Sequence, residues 1–316
     1  MRPLWKDVLA AVWLGMIIPG IVLNAFVLKE QYHHVPAVFA QPVETATKNN
    51  HVIYLREDSG KQREIDLESY LTGVLLAEMP AAFHEEALKA QSVAARTYTW
   101  KAHTTGGKHG NGSICTDSAC CQAYLTEMDY LACGGTEEAL EKVRQAVAAT
   151  SGFILVYEDE PIEATYFSSA GGSTEAALAV WGADFPYLQA VSSPEKVLID
   201  VVVYSLSEFE NKLGRDLPEN ATQWFYAVEY TEGGGVESLE ICGESYSGVE
   251  LRSLLGLRST AFEVFTEDQT ITIITRGYGH RVGMSQYGAD AMANSGSNYQ
   301  KILQHYYPGT NLVPIP

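Results

Sequence analysis

The sequence predicts an α+β fold, with mixed helices and antiparallel strands around a substrate cleft, behind an N-terminal transmembrane helix. Three observations carry this reading: an apolar run at Val8–Leu28, helical stretches between about Asp66 and Ala149, and a strand-rich remainder punctuated by glycine turns. At 316 residues with 46% hydrophobic composition, the chain can bury a full core in one large or two modest domains.

The apolar run is broken only by Gly15, Pro19, Gly20 and Asn24. As a helix it spans roughly 30 Å, the thickness of a bilayer core. Arg2 and Lys6 precede it, whereas Lys29 is offset by Glu30 and no further Lys or Arg occurs before Lys48. The positive-inside bias then places the N-terminus in the cytoplasm and the rest outside. A cleaved signal peptide is the competing reading. The small residue at Val38-Phe39-Ala40 lies well past the run, and the run is longer than a usual signal core. Residues 1–30 are therefore read as an anchor and 31–50 as a tether.

The ectodomain occupies 51–316. A strand at His51–Arg56 leads through a turn at Asp58-Ser59-Gly60 into a helix from about Asp66 to Glu78, stopped by Pro80. A second helix spans about His84 to Trp100, with acidic residues in its first turn. Residues 103–121 read as a Gly-rich loop, Glu137–Ala149 as a helix, and Phe153–Tyr157 with Ile162–Phe167 as a strand pair. Residues 196–260 form a distinct block, read as a small subdomain. It holds a helix near Leu206–Leu213, strands near Trp224–Tyr230 and Val236–Ile241 around Gly233-Gly-Gly235, and a short helix ending near Leu257. A strand at Thr270–Thr275 and a helix from Gln286 to Ser295 follow.

A net charge of −18 argues against nucleic acid and against steering onto an anionic polymer, so ligands must be held by short-range contacts. Against this background Glu78 is conspicuous. Leu67, Leu71, Val74 and Glu78 recur at spacings of four, three and four, which puts Glu78 at the end of a buried stripe. It also sits in the last helical turn, where the helix dipole disfavours a carboxylate. No Lys or Arg lies within ten residues along the chain. Burial and dipole both hold the proton on, as general-acid cleavage of a glycosidic bond needs. A frayed, solvated end, or a distant partner such as Arg96, is the structural alternative.

Tyr166-Phe-Ser-Ser-Ala-Gly-Gly-Ser-Thr-Glu175 follows a strand; Gly171 and Gly172 allow close backbone approach, and Ser168 and Ser169 offer hydroxyls to sugar oxygens. Trp181–Leu188 supplies aromatic walls for a core or a cleft. Gly277–Ala289 is glycine-dense and runs into a helix start, with His280, Ser285 and Gln286 adding directional bonds. It lacks the Lys-Ser/Thr ending of a P-loop, and no strand–nucleophile–helix elbow frames Ser285.

Five cysteines occur, and Cys115, Cys120 and Cys121 cluster after His109. Thiolates with an imidazole match a closed structural zinc site, whose four protein ligands leave no position for a catalytic water. His103 is the rival to His109. A disulfide to Cys133 or Cys242 is the alternative and leaves one thiol over.

Taken together, Ala77-Glu78-Met79-Pro80 and Ala90-Gln91-Ser92-Val93-Ala94-Ala95-Arg96-Thr97-Tyr98 resemble the hallmark of the stage II sporulation protein D family. Tyr166–Glu175, Trp181–Leu188, Leu251–Ser259, Gly279–Ala289 and His305-Tyr-Tyr-Pro-Gly309 resemble its later motifs. The resemblance implies a membrane-anchored peptidoglycan lytic transglycosylase with Glu78 as acid/base, cleaving denuded glycan during forespore engulfment. Its implied substrate-binding set is Arg96, Tyr166, Ser168, Ser169, Gly171, Gly172, His280, Ser285, Gln286 and Tyr287. It implies zinc on His109, Cys115 and Cys121, with Cys120 where a histidine is expected; Arg281 stands where a glycine is usual, which is expected to add a cation beside the sugar site. The implied partners are a sporulation amidase (stage II sporulation protein P) and the membrane protein stage II sporulation protein M, at the mother-cell engulfing membrane facing the forespore. The same domain also occurs in non-catalytic amidase-enhancing proteins.

Overall fold

A single residue ends the first hairpin and starts the first helix. Asp66 closes the antiparallel pair β1 (Val52–Arg56) and β2 (Gln62–Asp66), and its carboxylate accepts the Ser69 N–H at 2.9 Å. That caps α1 (Leu67–Glu78). The computed structural model describes residues 51–57, 60–218 and 223–316. The expected anchor, the tether, and Asp58 and Ser59 of the expected turn lie outside the described residues. No helix among the described residues is long and apolar enough to cross a membrane.

Leu67, Leu71 and Val74 of α1 are buried, as their spacing predicts, and Met79 turns extended before Pro80. The next helix, α2 (Glu85–Thr105), is capped by His84 and runs past the expected end at Trp100. Nothing breaks it until Gly106, which adopts φ +93°. Its buried face carries Ala87, Ala90, Ala94 and Ala95, so neighbours approach closely. After β3 (Ser113–Cys115), α3 (Glu127–Ala132), α4 (Glu137–Ala149) and β4 (Phe153–Tyr157), the helices α1 and α4 and strand β4 all pack on α2. Each fully buried Leu or Val here contributes about 1.5–3 kcal/mol.

The Gly-rich segment is not all loop. β3 lies parallel to β1, pairing Leu55 with Ile114. The strand expected at Ile162–Phe167 is also divided. β5 (Glu160–Pro161) pairs with β4, whereas β6 (Tyr166–Phe167) leaves that sheet. Two consecutive tight turns, Ala164 N–H to Ile162 O and Thr165 N–H to Glu163 O, redirect the chain. A short helix, α5 (Ala177–Trp181), follows.

The block expected as a subdomain takes part in a second hydrophobic core that draws on residues further along the chain. It runs through β7 (Ile199–Ser205), α6 (Leu206–Leu213), β8 (Phe225–Tyr230), β9 (Val236–Ile241), β10 (Glu244–Ser247) and α7 (Gly248–Leu255). β11 (Phe262–Glu267) and β12 (Thr270–Arg276) also belong to it, because β12 pairs antiparallel with β7 across its whole length. A separate core results, built on Phe209, Leu239, Ile241, Leu251, Ile271 and Ile273.

Arg281 joins this subdomain to the rest. Its Nη1 lies 2.9 Å from Glu175 Oε1, and Nη2 donates to Ser173 O and, in the subdomain hairpin, Gly233 O. Glu175 Oε1 also accepts the Gly235 N–H. Arg281 is 1% exposed, so it adds no cation beside a sugar, contrary to expectation. The chain then returns to the first core through β13 (Met284–Ser285), parallel to β6, then α8 (Gln286–Asn294) and α9 (Tyr299–Tyr306) on α2. The last strand, β14 (Asn311–Pro314), completes the β4 sheet.

Candidate active site

Glu78 is the last residue of α1 and faces a cleft of about 610 Å³. Burial raises its pKa above the ordinary carboxylate value, opposed by the Ala123 N–H, which donates to Oε1 at 2.6 Å. Glu78 makes no ion pair among the described residues. Arg96, the partner considered from sequence, is fully buried and holds Glu68 instead, with Nε–Oε1 2.9 Å and Nη2–Oε2 2.6 Å. Its remaining donors reach Thr150 Oγ1 and the carbonyls of Val147 and Phe153. Arg96 is a core cross-link, and the structure places it away from the cleft.

Of the binding residues named from sequence, Tyr166, Ser168 and His280 line the cleft with Glu78. The redirected β6 brings Tyr166 there. Its hydroxyl donates to Gln122 Oε1 at 2.8 Å, and Gln122 Nε2 donates to Thr99 Oγ1 at 2.8 Å. Burial, then the charge of Glu78, keeps Tyr166 a neutral phenol. The ring of His280 accepts the Val282 N–H at Nδ1, 3.1 Å, so Nε2 carries the proton and donates to Tyr166 O at 3.1 Å. Burial lowers its pKa to about 4, Arg252 adding to the effect, and the ring is neutral. Trp181 packs on it with ring centroids 5.2 Å apart.

The other expected binding residues lie outside this lining. Ser169 is fully buried, and its hydroxyl donates to Glu195 Oε1. Ser285 caps α8 and reaches the same oxygen at 2.9 Å. A side chain on Gly171 would strike the Arg276–Gly277 backbone, so that glycine serves packing, whereas Gly172 opens onto free space. Gln286 is buried, and Tyr287 packs edge-on against Phe83 while its N–H supports Ser168 O. None of these lines the cleft. Sequence reasoning missed Tyr98, Lys108, Gln122, Arg252 and Tyr278, which do. Gln122 adjoins the cysteine cluster and Tyr278 neighbours a motif glycine. Arg252 lay within a recognised motif but carried no signal of its own.

Cys120 and Cys121 form part of the cleft wall. The ligand atoms of His109, Cys115, Cys120 and Cys121 all lie within 4.8 Å of one another. His109 Nε2 is 3.4 Å from Cys120 Sγ and 3.5 Å from Cys121 Sγ, and the two sulfurs are 3.9 Å apart. A tetrahedron with zinc–sulfur bonds of about 2.3 Å has sulfur–sulfur edges of roughly 3.8 Å, so the donor set fits that ion. Burial pushes the Cys121 thiol up to about 12, and a bound cation would offset this. His103 is not in the group; its ring packs against Tyr54 and Trp100. All five cysteines are free thiols.

Residues 56–157, which hold Glu78 and the His/Cys cluster, match the family model described as "Stage II sporulation protein". Stage II sporulation protein D of Bacillus amyloliquefaciens is 39% identical over 81% of this chain and 77% of its own length. The Bacillus subtilis protein of that name is 40% identical over 78% and 74%. The chain belongs to the stage II sporulation protein D family. An amidase enhancer of Bacillus subtilis is 31% identical over 77% of this chain and 40% of its own length. Membership of a sporulation family covers both cores, since the alignments span most of the chain.

Proposed function

We propose that the chain is a peptidoglycan lytic transglycosylase that cuts denuded glycan during forespore engulfment, with Glu78 as its single acid/base. One observation carries the reading: a half-buried carboxyl, raised in pKa and held in no ion pair among the described residues, faces a cleft walled by Tyr166, Trp181 and His280. Protonated Glu78 donates to the oxygen leaving C1 of N-acetylmuramic acid as the C1–O bond breaks. The resulting carboxylate takes the proton from that sugar's C6 hydroxyl as O6 closes on C1. The ring product is a 1,6-anhydro sugar, no water is consumed, and Glu78 ends as it began. One carboxyl therefore suffices where hydrolysis uses two.

Tyr166, Ser168 and neutral His280 would orient the strand. His109, Cys115, Cys120 and Cys121 would hold zinc as a cross-link bracing the segment before Gln122 and Ala123. The same reading takes Val8–Leu28 as a membrane anchor, and a sporulation amidase and stage II sporulation protein M as partners. Mass spectrometry of digested denuded glycan tests the activity: 1,6-anhydro ends are expected, and reducing ends alone would overturn it. Similarity to an amidase enhancer supports a second reading, a non-catalytic glycan binder that stimulates an amidase. Glu78→Gln separates the two. Transglycosylase activity should fall roughly 10²–10⁴-fold, whereas stimulation of an amidase would survive.

A further inference from the structure

Arg252, on α7 of the subdomain, lines the same cleft as Glu78. Arg96, Arg215, Arg258, Arg276 and Arg281 each hold a carboxylate. Arg252 holds none, although acidic residues outnumber basic ones 39 to 21 in this chain. It makes no hydrogen bond or ion pair among the described residues, and its Nε is closed off from solvent with no acceptor. No carboxylate acts on it: the groups that interact with it electrostatically are Tyr278 and the neutral His280 ring. Lys108 is the other cation of the cleft wall, and its Nζ is already bonded to Cys120 O. Glu78 is the one carboxylate of this lining among the described residues, against two cations, Arg252 and Lys108.

Partial burial of an unpaired guanidinium destabilises a fold, so this arrangement makes sense only if an anion enters with the ligand. A guanidinium fork matches a carboxylate, which it can hold through two parallel N–H bonds. We propose that Arg252 is the carboxylate-binding subsite of the cleft, and that it takes the lactyl carboxylate of a muramic acid residue. The proposal rests on the glycan reading above. It makes the subdomain a specificity wall, and it distinguishes a strand with free lactyl groups from one whose lactyl groups are capped by peptide.

The test measures binding to full-length protein carrying Glu78→Gln, so that no turnover intervenes. Three ligands are compared: a neutral N-acetylglucosamine oligomer, denuded glycan, and peptide-bearing glycan. Denuded glycan should bind tightest, and adding Arg252→Gln should weaken it roughly 10- to 100-fold while leaving the neutral oligomer unchanged. Arg252→Lys should restore only part, because an ammonium lacks the fork. Thermal melting separates this from a structural role, since removing an unpaired half-buried cation should leave Tm unchanged or higher. Equal binding of denuded glycan with and without Arg252 overturns the subsite. Arg252 dependence confined to the peptide-bearing strand overturns the lactyl assignment in favour of stem-peptide carboxylates. Failure to bind any of the three ligands, the neutral one included, overturns the glycan reading and the subsite with it.

Discussion

Glu78 shows how much one position can declare in sequence and where that stops. Its place on an apolar stripe at a helix end was enough to expect a raised pKa. The Ala123 N–H that opposes the rise comes from 45 residues away and left no trace in the pattern. The raised pKa has a consequence for stability. A folded value above the unfolded one means the contribution is full below the ordinary carboxylate pKa and is lost as pH rises through the folded value. Glu78→Gln should therefore raise Tm at neutral pH, with the gap closing toward about pH 4, as melts across that range would show. Activity of the parent should fall on the alkaline side of the same transition. Arg96 teaches the opposite lesson. A polar residue in a strong motif looked like a ligand contact, yet it is a buried cross-link, because motif identity does not tell which way a helical side chain faces.

At the level of elements, α1, α4, β4, α6 and β9 follow from periodicity and capping residues, since these are local properties. Pairing is not local, so the sheets were legible only in part. The Ile162–Phe167 run had strand composition, but turns after Ile162 send its end to β13 and thereby carry Tyr166 into the cleft. The fit of α1 to the segment after the cysteines was also invisible in sequence. A Cβ on Gly73 would sit 2.3 Å from the Tyr124 ring and 2.6 Å from Leu125 O. Gly73→Ala should cost about 1–3 kcal/mol despite its better helix propensity, and should lower activity by displacing Ala123 from Glu78. Denaturant melts alongside glycan turnover would measure both. The proposed zinc brace acts on the same segment. Cys115→Ser should lose metal by elemental analysis and lower Tm by roughly 10 °C, at about 2–4 °C per kcal/mol, with activity falling as a consequence.

Across the whole molecule, two hydrophobic cores share one cleft, and the Arg281–Glu175 pair ties them together. Composition predicted a core and block boundaries predicted a subdomain. The true extent of that subdomain waited on β12 finding β7, a pairing between segments some 70 residues apart. Arg281 adopts φ +64°, a conformation unusual outside glycine, and its buried bonds to Ala170, Ser173 and Gly233 hold it there. Arg281→Ala leaves Glu175 buried without a counter-charge, so a loss of about 3–5 kcal/mol is expected. Calorimetry should then resolve two transitions where the parent shows one.

The parallel pairing of β6 with β13 also governs when the site comes into being. Tyr166 emerges from a ribosome more than a hundred residues before His280 and Met284, which complete its surroundings. An amino-terminal portion ending before His280 would hold the acid, the cysteine cluster and half the wall, but no closed cleft around them. The cleft around Glu78 is incomplete through most of the chain's synthesis and closes only once its final tenth has folded back onto α2.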